Sequence, residues 1–186
     1  TGGLSGAAGI GAAGGSSGAA GIAGAGGSGG AGGASLPPVV RCDGIDDAAP
    51  PADCVISRPF VGIEYKPTVT RSVAGIAFFT GKINGDSHAV SLYSDAGDKP
   101  GVPLVGPASF APDSVKIDWY DGRFDPPFEV QAGTTYWIVW SPVDNAPCSF
   151  TGASVDKARY RASDDGFTWD TIYTGGPMVR VECLAP

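Results

Sequence analysis

Glycine recurs with a period of three across Thr1–Ser35, and that period limits what this stretch can become. In triplets, the third position holds Gly3, Gly6, Gly9, Gly15, Gly18, Gly21, Gly24, Gly27, Gly30 and Gly33, interrupted only by Ala12. The second position holds the segment's other six glycines, and the first position holds none. The first position takes every large apolar residue instead: Leu4, Ile10 and Ile22. A helix with three residues per turn, the polyproline II geometry, lines each phase along its own edge and extends about 100 Å over this length. One edge is then bare backbone that another chain can approach closely, and another is apolar. Polyproline II has no internal hydrogen bonds, and fixing a backbone costs about 1–2 kcal/mol per residue, most for glycine. No proline offsets that entropy here. A lone tail is therefore expected to be disordered, and order requires many strands whose N–H and C=O groups bond between chains.

The triplet pattern resembles collagen-like triple helices and polyglycine II bundles, over Thr1–Ser35 only. The competing reading is a flexible linker, which has no reason to keep glycine out of one phase. Composition changes at Leu36-Pro37-Pro38: sixteen of thirty glycines precede it, and the first forty residues carry no charge, so the net −7 belongs to the rest of the chain. The expected organisation is a tail at 1–35, a proline linker at 36–41 and a domain at 42–186. An acidic domain without clustered Lys or Arg is a poor nucleic-acid binder. No run approaches the roughly 18–20 apolar residues of a membrane span.

Cys42, Cys54, Cys148 and Cys183 are an even set without a C-x-x-C pair, and His88 is the only histidine. This reads as two disulfides and an oxidising, extracellular compartment rather than zinc. Two pairings stand out: Cys42–Cys54 with Cys148–Cys183, the preferred one, or one joining Cys42 to Cys183 because first and last strands of sandwiches often neighbour each other. The chain starts at Thr1, consistent with removal of an export signal.

Beyond Pro38, short runs rich in Val, Ile, Phe, Tyr and Trp alternate with Gly, Pro, Asp and Asn clusters. Strands are predicted near 55–56, 60–65, 72–80, 89–94, 115–120, 124–130, 135–141, 157–163, 168–173 and 178–183. Turns are expected at Asn84-Gly85, Asp95-Ala96-Gly97, Asp121-Gly122, Asp164-Asp165-Gly166 and Gly175-Gly176. The fold class is all-β, an antiparallel sandwich. Tyr136, Ile138 and Trp140 alternate with Trp137 and Val139, so both faces of that strand are apolar and it is predicted to be central.

The runs VAGIAFF, VSLYSDAGDKPGVPLVG, FEVQAGTTYWIVW, YRASDDGFTW and MVRVEC, spanning about Val73–Cys183, resemble a jelly-roll-type module of secreted and surface-anchored bacterial proteins, a domain of unknown function. The resemblance implies a jelly-roll-like sandwich and an extracellular, accessory role, with no catalytic residue to carry over.

Chemistry is sparse. A Ser–His–Asp arrangement would need His88, which sits in no nucleophile elbow and reads as a surface residue. Asp46-Asp47 and Asp164-Asp165 lie in turns, where Asp caps amides. The chain is therefore read as a non-enzyme without a required cofactor. Calcium at Asp43, Asp46, Asp95 and Asp98 is a candidate, as hard oxygens in tight loops suit that ion. Trp119, Tyr120, Trp169 and Tyr173, beside loops, are candidate sugar-stacking platforms. The leading expectation is a structural subunit of an extracellular fibre or surface appendage, polymerised through the tail. The alternative is a glycan-binding or adhesive module on a flexible tether.

Overall fold

A computed structural model describes residues 37–45, 54–56, 58–80, 88–112, 117–142, 149–150, 159–174 and 177–185. The tail glycines, Leu4, Ile10, Ile22, Asp46 and Cys148 lie outside them, as does the side chain of Cys54. All of the described residues belong to one compact unit within Leu36–Pro186.

The described residues form twelve strands: β1 Val39–Ile45, β2 Cys54–Ile56, β3 Phe60–Tyr65, β4 Arg71–Thr80, β5 His88–Asp95, β6 Pro100–Phe110, β7 Asp118–Val130, β8 Tyr136–Pro142, β9 Ser149–Phe150, β10 Arg159–Ser163, β11 Tyr173–Thr174 and β12 Val179–Leu184. A four-stranded sheet runs β1-β12-β4-β7 and a six-stranded sheet β11-β10-β3-β8-β5-β6, with β2 and β9 as a separate pair. Every pairing is antiparallel. The described residues form an all-β sandwich.

Period-two alternation builds the core between the large sheets. Val61, Ile63 and Tyr65 of β3, Ile76 and Phe78 of β4, Val90 and Leu92 of β5, and Ile138 and Trp140 of β8 meet there. Phe78 stacks on Trp140 with ring centroids 4.5 Å apart. As expected, β8 lies inside its sheet, between β3 and β5. Its opposite face is buried too, and Trp137 Nε1 donates to Asp95 Oδ1 at 2.7 Å.

The structure corrects four readings. Residues 100–110, outside the predicted strands, form edge strand β6; Pro100, Pro103 and Pro107 suit an edge, where a missing N–H breaks no ladder. Asp121-Gly122 is not a turn but lies inside β7, with Ala77 paired to Asp121 and Ile76 to Gly122. Residues 168–172 are not strand; only Tyr173–Thr174 pair, with β10. His88 is not on the surface: it is 1% exposed and stacks against Phe110 at 5.3 Å. In addition, the first strand begins at Val39, within the segment read as a linker.

The preferred cysteine pairing is also overturned. Cys42 of β1 bonds Cys183 of β12, 141 residues away, with Cα atoms 5.7 Å apart. The two strands are hydrogen-bonded neighbours from Val39↔Leu184 to Ile45↔Val179, with a bulge at Cys42. First and last strands thus become covalently one.

Candidate functional site

A cleft of about 260 Å³ opens where β1 and β12 face β3, β8 and β10. Its apolar floor includes Ile138, Val179 and Val181, and its rim carries Asp43, Glu64, Tyr65, Lys66 and Arg159. The rim depends on β1 lying close to β12 at Gly44. That residue has φ of +143°, and a Cβ there would stand 2.4 Å from the Val179 carbonyl oxygen. Only glycine meets both demands. Asp43, beside it, accepts a hydrogen bond from the Tyr65 hydroxyl at 3.3 Å. Burial first, and then the Asp43 carboxylate, push the Tyr65 phenol well above its ordinary pKa; it is a neutral donor at any physiological pH. On the outer face of the large sheet beside it, Arg159 of β10 pairs with Glu64 of β3 at 2.7 Å.

A second feature stands on the outer side of the large sheet. Trp169 and Pro100 both pack where Gly62 of β3 has no side chain; a Cβ there would lie 2.7 Å from Pro100 and 3.1 Å from Trp169. Arg161 donates to the carbonyls of Asp98 and Asp170, joining the loops on either side. Asp165 holds the loop tip: its carboxylate accepts from the amides of Phe167 at 2.8 Å and Thr168 at 2.7 Å. Phe167 is left 87% exposed.

The Thr168 and Phe167 amides hold the Asp165 carboxyl well below the usual carboxylate range. A lowered folded-state pKa means this ordering is complete above the ordinary value of 3.8 and is lost as pH falls through the lower folded value. The Phe167 and Thr168 amide resonances are expected to stay put from pH 7 to about 4 and to move only in stronger acid. Movement centred near pH 4 would contradict this.

The proposed sugar platforms are not brought together. Trp119 packs against Phe79 on the small sheet at 5.3 Å, and the Arg180 guanidinium lies over its ring, 3.8 Å from the centroid. Tyr120, next to it on β7, is half-buried against the core. Trp169 lies on the large sheet against Gly62. Tyr173, on β11, stacks on Tyr160 at 5.3 Å. Asp46 lies outside the described residues, and the other three calcium candidates, Asp43, Asp95 and Asp98, are placed apart. Asp43 belongs to β1 and bonds Tyr65. Asp95 closes β5, its carboxylate bonded to Trp137 and to the Gly97 amide at 3.2 Å. Asp98 lies 3.9 Å from Arg159. Among the described residues no group of three or more His, Cys, Asp or Glu is placed to hold a metal.

Sequence reasoning missed the cleft, because its rim comes from three distant segments. Only the pairing of β10 with β3, and the apposition of the two sheets, brings them together. A family described as DUF4082, a domain of unknown function, matches residues 57–178. The chain belongs to this family. The match runs from just before β3 to just before β12. The DUF4082 region therefore includes Glu64, Tyr65, Lys66 and Arg159 but neither Asp43 nor the Cys42–Cys183 bond. No curated protein matches the sequence.

Proposed function

We propose that this DUF4082 protein is a structural subunit of an extracellular fibre or surface appendage, with Thr1–Ser35 as its assembly element. The observation that carries the reading is the Cys42–Cys183 bond in the strand that the tail runs into. Among the described residues β1 is an edge strand, paired with β12. Tension on the tail loads β1 first, and hydrogen bonds alone would let an edge strand peel away. The disulfide passes that load, four residues into the strand, to β12, which lies between β1 and β4. A cross-link of this kind suits an oxidising exterior.

The strand orders support reading the sandwich as a jelly roll. With β2 and β9 to β11 set aside, the eight remaining strands form one sheet of the first, last, third and sixth, and another of the second, seventh, fourth and fifth. That topology places the first strand beside the last, where the staple is.

The period-three glycines supply the assembly surface: an edge without side chains for close approach and an apolar edge of Leu4, Ile10 and Ile22. Gly18→Val or Gly21→Val is expected to abolish polymer formation without changing the melting of the sandwich, because a branched Cβ cannot enter a close-packed backbone edge. Sedimentation of each variant beside the parent chain checks this. Polymers that tolerate both substitutions would make the tail a mere tether.

A further inference from the structure

We infer that Phe167 is an anchor that seats in an apolar cleft of a second copy of this chain, so that neighbouring sandwiches in the fibre join head to tail. The inference rests on the fibre reading and adds a contact between domains to it. A lone exposed apolar side chain needs no explanation, but Phe167 is 87% exposed on a loop that is bound down on both sides of it. Before it, the Ser163 hydroxyl accepts from the Gly166 amide at 2.8 Å, and Gly166, with φ of +76°, lies against Phe60. After it, Thr168 bonds both carboxylate oxygens of Asp165, and Trp169 sits on Gly62. The ring is held outward by its neighbours. A fixed projection loses little ordering entropy on docking, and aromatic side chains are prominent among the strong anchors of interfaces.

A matching hole lies at the other end of the same domain. Pro37, Val39, Ala74, Phe124, Pro127 and Leu184 line a cleft of about 110 Å³ on the small sheet. That is the scale of one aromatic ring, since an apolar cavity of roughly 150 Å³ holds benzene. The rim carries Arg123 and Asp125, and the Arg58–Asp164 pair stands beside Phe167. Docking can therefore set Arg58 against Asp125 and Asp164 against Arg123, each charge meeting its opposite. Gly166 lies on Phe60 where β3 begins, the end at which Val61 pairs with Trp140 and Phe78 stacks on that ring. The cleft lies where β4 begins, with Ala74 next to Val73 and its partner Cys183. Because knob and hole are different surfaces, the contact is heterologous: each copy offers its ring to one neighbour and its cleft to another, and such contacts build open filaments unless the rotation closes a ring. One aromatic buries about 150–250 Å², far below the roughly 1,200–2,000 Å² of a stable interface. The contact holds between copies already joined, where linkage raises the effective concentration.

The test places the photoreactive residue p-benzoylphenylalanine at position 167 of the full chain. Irradiation of the native material is expected to give cross-linked dimers whose joined peptides carry Val39, Ala74, Pro127 or Leu184. Mixing isotope-labelled with unlabelled chains shows that the two peptides come from different copies. Leu184→Glu, at a partly exposed position, is expected to lower the yield about tenfold or more with melting little changed. Cross-links to other segments, no cross-links, or a yield that survives Leu184→Glu would overturn the inference. Imaging of the same sample keeps the two readings apart. Polymers without the cross-link would remove the ring contact and leave the tail as the assembly element, whereas cross-linked dimers without polymers would keep the contact and remove the fibre.

Discussion

Replacing Cys42 and Cys183 together by serine is expected to cost about 2–5 kcal/mol of stability. The bond closes a loop of 141 residues, for which the chain-entropy relation gives about 5 kcal/mol. The pair also joins β1, an edge strand among the described residues, to its neighbour β12, so the loss should begin at β1. Its ladder to β12 is expected to exchange first, before the β3, β8 and β5 ladders. For a domain of this size about 1 kcal/mol corresponds to roughly 2–4 °C, so melting should fall by about 4–20 °C. Thermal denaturation of the double variant, with Cys54 and Cys148 unaltered, checks the figure. A change under about 2 °C would mean that β1 is held by other contacts.

Gly122→Val is expected to destabilise the sandwich by about 3 kcal/mol, at the upper end of the range for overpacking. A Cβ at Gly122 would stand 2.7 Å from the Ala108 carbonyl oxygen and 2.7 Å from Val90. A side chain can rotate aside, but a strand carbonyl cannot. The clash falls where β7, the edge of one sheet, crosses against β6, the edge of the other. Gly122→Asn separates this from a turn reading. Asn is well tolerated in hairpin turns, so a turn would accept it at little cost. The strand predicts a loss comparable to that of valine. Chemical denaturation of the two variants beside the parent decides between them.

How much could be read from the chain depended on whether the information was local. The Tyr136–Trp140 run shows two apolar faces, and β8 is indeed buried on both, with Tyr136, Ile138 and Trp140 in the core and Trp137 and Val139 buried on the other side. His88 carries a usable local signal: it continues the His88, Val90, Leu92 alternation, and all three face the core side. β6 was hidden by its prolines, which argue against a central strand but not an edge strand. Gly122 was hidden by Asp121, because Asp-Gly has a strong turn propensity that tertiary packing overrode. The disulfide followed from topology, since only the neighbouring of first and last strands decides between the pairings. The cleft had no local signature. Asp43, Glu64 and Arg159 are separated by long stretches of chain and are joined by strand order alone.

Hydrogen–deuterium exchange on the intact chain in its native state bears on the fibre reading most directly, with particles imaged from the same sample. Amides of Thr1–Ser35 in polymers should exchange about a hundredfold slower than in an unstructured peptide, with protection repeating every three residues. Tail amides that exchange at the unprotected rate, in monomers or in whatever particles form, would contradict the assignment of the tail as the assembly element.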